Sequence, residues 1–162
     1  MRSYEPIEER DLRRLAAIAR EDRATFFARH ARWRPYTDRI LCVALCQGAA
    51  LHYVDGRNGV KDFDVYTFYA ESPVGPFPPR RIARRDFGPS RFGRHPDDSP
   101  IFTGRRIDLC ARSLPVPSGA DPVESVRAYL RDGRTETARH LAIKAVVIVD
   151  PEPLRGAVAW PE

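Results

Sequence analysis

The sequence is poor in lysine and has no long apolar run. Only Lys61 and Lys144 are lysines, whereas the other 25 basic residues are arginines. No segment approaches the roughly 20 apolar residues of a membrane-spanning helix. The first residues also lack the apolar centre of a signal peptide. We therefore expect a protein that does not enter the membrane and that resides in the cytoplasm.

Cysteine is also scarce, and its spacing argues against disulfides. Cys42 and Cys46 belong to one apolar run that is typical of a strand, in which they would stand roughly 13 Å apart. This exceeds the roughly 7 Å that a disulfide allows between Cα atoms. Cys110 stands alone, and no Cys or His pair has the spacing of a zinc site. We expect buried thiols in a reducing compartment.

The positive charge is concentrated in one segment. The chain carries 27 basic and 22 acidic residues, a net charge of +5. Residues 80–112 contain nine arginines and four acids, so this segment accounts for the whole surplus. A neutral body with one basic segment indicates a local site for an anion rather than a general nucleic-acid coat.

Length and hydrophobic content fit one domain. With 162 residues, of which 43% are hydrophobic, the chain has enough material for a single core. We predict a single α+β domain over 1–162, in which a small mixed β-sheet is flanked by helices. Its core is expected over about 36–112, between an N-terminal helix over 8–31 and helices and a strand over 121–149.

Three segments have the composition of strands. The run over 40–46 is apolar without alternation, as expected for a central strand that is covered on both faces. Residues 62–69 are rich in aromatic and β-branched side chains, and 106–112 form a third strand. The proline- and arginine-rich segment 72–106 cannot be a long helix. We interpret it as a long loop with room for short pieces of strand.

The C-terminal part has the clearest helix signals. Asp121 suits the N-cap, Pro122 the first helical position, and Glu124 the capping box. The remaining boundaries are the end of this helix at Gly133, a second helix from Thr135 to about Lys144, and a last strand over 146–149.

Three aspartates could form a metal site. Alternating side chains place Asp62 and Asp64 on one face of a strand, and Asp108 lies in another apolar strand. A carboxylate in such a strand is costly to bury without a cation or a hydrogen-bond partner. Carboxylate oxygens are the ligands that Mg²⁺ prefers. The alternative is that Asp108 simply pairs with Arg106 or Arg112.

A glycine turn precedes the aspartates. Gly48 and Ala49 follow the first strand and open a short helix, whose free backbone N–H groups favour phosphate. Gly48 would let the backbone approach that phosphate closely. It is equally well explained as a residue that ends a strand.

The order of these features resembles the nucleotidyltransferase superfamily of the DNA polymerase beta type, particularly its small minimal members. The resemblance rests on Gly48-Ala49, Asp62-Phe63-Asp64 and Asp108, and it covers about residues 36–112. It implies a metal-dependent transfer of a nucleotidyl group from a nucleoside triphosphate, with two Mg²⁺ ions, to an RNA, protein or small-molecule acceptor.

The resemblance also implies residue roles. Asp62, Asp64 and Asp108 would be catalytic and hold the metal ions, and Asp108 would help activate the acceptor hydroxyl. Gly48 and Ala49 would meet the triphosphate. Lys61, directly before the acidic pair, is a further candidate for a nucleotide contact, although it would face the opposite side of an ideal strand. The commoner pair in the family is Gly-Ser or Gly-Gly, so Ala49 lacks a serine hydroxyl that would contact phosphate.

The basic loop is expected to border this site. The arginines expected to contact phosphate or an acceptor are Arg80, Arg81, Arg84, Arg85, Arg105 and Arg106. Two alternatives remain open. One is a catalytically weak module on the same fold that engages nucleic acid or a protein partner through this loop. The other is a structural protein whose carboxylates are all paired with arginine.

Overall fold

Helices and strands both contribute to the fold. The computed structural model describes residues 4–78 and 82–162. The elements are α1 (Glu9–Arg29), β1 (Ile40–Cys46), α2 (Gln47–Asp55), β2 (Phe63–Ala70), β3 (Ile82–Asp86), β4 (Arg106–Leu114), α3 (Pro122–Asp132), α4 (Glu136–Leu141), β5 (Val146–Asp150) and β6 (Val158–Trp160). Short 3₁₀ helices cover Ala31–Tyr36 and Glu152–Leu154.

All six strands belong to one mixed sheet in the order β3-β4-β2-β1-β5-β6. The β2–β4 pair is parallel, and the other neighbouring strands are antiparallel. β1 lies near the middle and is almost completely buried, which explains its uninterrupted apolar sequence. The predicted α+β domain with a small mixed sheet is therefore confirmed.

The two faces of the sheet pack against different helices. One face presents Val43, Val65 and Ile107 to α1 and α2. The other face presents Cys42, Ala44 and Phe68 to α3 and α4. Since side chains alternate along a strand, a polar residue at an even position of β2 or β4 lies on the α3/α4 face.

The side of the sheet against α1 is sealed by the loop 87–104, and we call this region the closed side. Phe87 is 1% exposed and packs against Phe63. Arg91 forms an ion pair with the buried Asp11 of α1, with Nη1 3.2 Å from Oδ1. A Cβ on Gly104 would lie 1.8 Å from the carbonyl oxygen of Gly88, so the two ends of the loop touch backbone to backbone.

Most of the predicted elements are present with small shifts. The N-terminal helix α1 runs from Glu9 to Arg29, close to the expected range 8–31, and the 3₁₀ helix Ala31–Tyr36, which contains Pro35, follows it. Asp121 caps α3 by accepting from Glu124 N–H at 2.8 Å, and Gly133 ends it in a left-handed conformation. The helix after Thr135 is shorter than expected and ends at Leu141. β3 lies inside the predicted loop, and β6 was not predicted.

The cysteines are buried free thiols. Burial raises the pKa of Cys42 to about 12, so this thiol is unreactive near neutral pH. In the described part of the chain, no helix has the length and apolar character needed to cross a membrane.

Candidate active site

The parallel pairing of β2 and β4 brings two of the predicted aspartates side by side. Asp64 is in register with Asp108, and residues in register on neighbouring strands share one face of the sheet. Asp62 lies two residues before Asp64, directly ahead of β2, and lines the same cleft as the other two. The three carboxylates therefore lie on the α3/α4 face.

A cleft of about 520 Å³ opens above these aspartates, and we call this region the open side. It is lined by Gln47, Gly48, Lys61, Asp62, Asp64, Tyr66, Ile82, Arg84, Asp108, Cys110, His140, Ile143 and Lys144. The cleft thus joins the predicted glycine turn to the predicted carboxylates.

The first turn of α2 forms one wall of the cleft. Cys46, the N-cap residue, gives α2 no side-chain hydrogen bond within the described residues, so the first N–H groups of this helix are available to a ligand. Gln47 has a φ of 61°, which is unfavourable for a residue with a side chain. This left-handed residue makes the abrupt change from β1 to α2. Asn58 Nδ2 donates to the Gly48 carbonyl oxygen at 3.1 Å and supports the turn.

Arg106 lies among the carboxylates. Its Nη2 is 2.9 Å from Asp62 Oδ2, and its Nη1 is 2.9 Å from Asp98 Oδ1. Its Nε is 3.3 Å from both carboxylate oxygens of Asp108. The guanidinium of Arg106 is thus a partner for Asp108 within the chain, as the alternative of a simple arginine pair for Asp108 expected. It leaves Asp64 without an ion pair among the described residues.

The charge of Asp64 is incompletely compensated. Burial and the nearby carboxylates of Asp62 and Asp108 raise the pKa of Asp64 to about 7, although Arg106 and Lys144 oppose the rise. Asp108 Oδ1 is buried and accepts no hydrogen bond from the described residues. The cluster therefore has unused acceptor capacity for a cation.

The donor set suits a hard divalent cation in its chemistry but is not arranged as a closed cage. Three carboxylates offer the ligand type that Mg²⁺ prefers, and Asp108 Oδ1 among them accepts no hydrogen bond from the described residues. Within the described residues, no group of three or more His, Cys, Asp and Glu side chains is arranged to hold a metal ion. Because Arg106 contacts Asp62 and Asp108, an ion shared by these residues would have to compete with its guanidinium.

The arginines of the basic loop separate by side. Arg84 Nε lies 3.6 Å from Asp108 Oδ1, and Arg84 lines the cleft. Arg85 lies on the opposite face and pairs with Asp22 of α1. Arg105 donates to the backbone carbonyls of Val60 and Gly93. We leave Arg85 and Arg105 out of the candidate site, because strand alternation and these internal contacts direct them away from the aspartates. Arg80 and Arg81 lie outside the described residues.

The residues expected to contact nucleotide also differ in placement. Gly48 and Lys61 line the cleft. The side chain of Ala49 is buried in the core beside α1, so only its backbone could contribute. Gln47 and Lys144 were missed. The scarcity of lysine was a usable signal for Lys144, whereas nothing in the sequence marks the left-handed conformation of Gln47.

Comparison with known proteins adds no relative, since no protein-family model, curated protein or solved structure matches this chain. The candidate site therefore rests on its own geometry.

Proposed function

We propose that the protein is a metal-dependent nucleotidyltransferase that moves a nucleotidyl group from a nucleoside triphosphate to an acceptor hydroxyl. The observation that carries this proposal is the register of β2 and β4, which sets Asp64 beside Asp108 in a cleft that Gly48 also lines. Paired carboxylates beside a helix N-terminus suit a reaction in which cations and phosphates must meet.

Each residue has a defined part in this proposal. Asp62, Asp64 and Asp108 would hold two Mg²⁺ ions, which would supply positive charge to the triphosphate and to the leaving pyrophosphate. The backbone at Gly48 and Ala49 faces the phosphates. As the hydroxyl oxygen bonds to the α-phosphorus and the bond to pyrophosphate breaks, the hydroxyl proton passes to Asp108. The acceptor is an RNA, a protein or a small molecule, and the buried thiols agree with action in a reducing cytoplasm.

One observation favours a second candidate function, a catalytically weak binding module on the same fold. Arg106 already neutralises part of the carboxylate cluster, as expected of a site that no longer binds a metal ion. The same observation limits the way in which such a module could bind. Arg85, Arg91 and Arg106 are engaged with carboxylates of their own chain, so fewer loop arginines are available to a partner.

The test is label transfer from α-labelled triphosphates. The purified protein is incubated with each labelled ribonucleoside triphosphate, Mg²⁺ or Mn²⁺, and a mixture of RNA and cell extract. We expect transfer that falls at least about 100-fold in Asp62→Asn and in Asp64→Asn, because each substitution removes a charged ligand. Asp97→Asn is the matched control, since its side chain is 82% exposed and lies outside the cleft lining.

The outcomes separate the candidates. Transfer that survives both cleft substitutions would show that the chemistry occurs elsewhere. Absence of transfer together with absence of metal-dependent triphosphate binding would favour the binding module.

A further inference from the structure

Both lysines of the chain lie in the same cleft. Thirteen residues line it, and Lys61 and Lys144 are among them. Basic residues elsewhere in the chain are all arginines. The planar guanidinium of arginine forms paired hydrogen bonds to a carboxylate, whereas the lysine ammonium is a compact point charge. In a cleft with three aspartates, a lysine is therefore bound less firmly than an arginine by the carboxylates of the protein itself.

The sheet places Lys144 beside the first turn of α2. Lys144 lies two residues before Val146, which pairs with Cys46, and Cys46 directly precedes α2. As a result, Lys144 Nζ is 3.8 Å from the point where a Cβ on Gly48 would stand. The ammonium and the free N–H groups of the first turn of α2 therefore face a common space.

The ammonium of Lys144 is available to a ligand. Lys144 is exposed, and no hydrogen bond or ion pair joins it to the described residues. Its charge nevertheless reaches the site, because it opposes the rise in the pKa of Asp64. Arg106, by contrast, is held by Asp62, Asp98 and Asp108.

We propose that Lys144 binds the polyphosphate of the nucleoside triphosphate, with its Nζ and the first N–H groups of α2 on the same phosphates. This inference rests on the proposed function and names a residue for its substrate. Lys61 shares the cleft. Among the described residues, however, only Lys144 Nζ and Asn58 Nδ2 lie within 4 Å of a Cβ on Gly48, so Lys144 is the lysine beside the first turn of α2.

The first test compares two variants that remove the same charge from the same cleft. Inorganic triphosphate and ATP are titrated by calorimetry, with and without Mg²⁺, into wild type, Lys144→Ala and Lys61→Ala. We expect Lys144→Ala to bind both about 10- to 100-fold more weakly, as for loss of a hydrogen bond to a charged group, and the loss of affinity in Lys61→Ala to be at least about fivefold smaller. Lys144→Arg should recover part of the affinity, because it restores the charge.

A second test uses the scarcity of lysine. An ATP derivative with a carboxylic acid joined to its γ-phosphate as a mixed anhydride acylates nearby amines. The lysine nitrogen bonds to the carbonyl carbon, and the bond between that carbon and the γ-phosphate oxygen breaks. ATP leaves, and the amine loses a proton. Mass spectrometry should find the label on Lys144 rather than on Lys61, and excess ATP should suppress it.

The outcomes distinguish this inference from the proposed function. If wild type binds ATP and triphosphate but both alanine variants lose affinity equally, or if Lys61 takes the label, the role of Lys144 is overturned while the proposed function stands. If wild type binds neither compound with or without Mg²⁺, both are overturned. An unchanged thermal unfolding midpoint in Lys144→Ala shows that lost binding is not lost folding.

Discussion

The ends of the loop 87–104 and the open side of the sheet treat acidic side chains in opposite ways. At the ends of this loop, Asp86 accepts hydrogen bonds from Gly88, Thr103 and Gly104 N–H. Burial opposes ionisation of Asp86, but these hydrogen bonds lower its pKa overall. On the open side, burial and neighbouring carboxylates raise the pKa of Asp64 to about 7.

This difference separates charges that build the fold from charges that await a partner. The acids of the closed side are satisfied by their own chain, and their loss should cost stability. The acids of the open side repel one another, which costs the folded state free energy that a bound cation would return. Clustered carboxylates whose charge is only partly compensated, in a cleft, are thus the strongest functional signal in this molecule.

The largest effect should come from opening the closed side. Phe87→Ala removes a ring that is 1% exposed and packs against Phe63. The loss of burial together with the resulting cavity should lower the free energy of unfolding by about 3–5 kcal/mol. Urea unfolding measures this change. Phe87→Leu is the control and should cost no more than about 1.5 kcal/mol, and a loss below that value in Phe87→Ala would show that the loop packs loosely.

A smaller effect of opposite sign is expected from Asp64→Asn. Because the folded state holds the Asp64 proton up to about pH 7 and the unfolded chain releases it near pH 4, wild type should lose stability as pH rises between these values. Asp64→Asn should remove this loss and be about 2 kcal/mol more stable relative to wild type at pH 8 than at pH 4. Denaturant unfolding across this range is the measurement.

Asp86→Asn is the matched control for this pH dependence. Because the pKa of Asp86 is lowered in the folded state, ionised Asp86 stabilises the fold above the pKa of an aspartate in the unfolded chain, and this stabilisation is lost as pH falls. Asp86→Asn should therefore be least stable relative to wild type at neutral pH. The comparison of the two sides would be wrong if both variants changed with pH in the same direction.

The smallest effect concerns the competition at Arg106. If its guanidinium and a divalent cation share Asp62 and Asp108, then Arg106→Gln should bind Mn²⁺ about tenfold more tightly than wild type, about 1.4 kcal/mol. Calorimetric titration with Mn²⁺ measures the change. Arg84→Gln is the control, because Arg84 is 69% exposed and touches Asp108 alone among the three aspartates. Weaker Mn²⁺ binding in Arg106→Gln would instead make Arg106 a support of the site.

The sequence predicted the elements that have strong local signals. The apolar run of β1 and the Asp121-Pro122 start of α3 are confirmed almost to the residue. Burial on both faces and helix capping can be predicted because each depends on residues that are neighbours in the sequence. The position of β3 inside the segment 72–106 was not predicted, since Ile82–Asp86 is largely polar and forms a strand only by pairing with β4. β6 is three residues long and depends in the same way on β5.

The candidate site was predicted in its components and not in its arrangement. Asp62 and Asp64 could be placed on one face from strand alternation alone. The basic segment, by contrast, was expected to border the aspartates as a whole, and only Arg84 and Arg106 do so among its described members that were named for this role. Sequence proximity to Asp108 does not tell which side of the sheet an arginine occupies, because that depends on the register of β3 against β4.

By itself, the sequence determined the fold class, the buried central strand, the location of the surplus charge and the residue types of the site, all of which follow from local composition and periodicity. Tertiary structure alone decided the parallel register that pairs Asp64 with Asp108 and the position of Lys144 beside Gly48. It also decided that Arg106, and not Arg112, forms the ion pair with Asp108. These are contacts between residues far apart in the chain, and only the packing of the whole sheet brings them together.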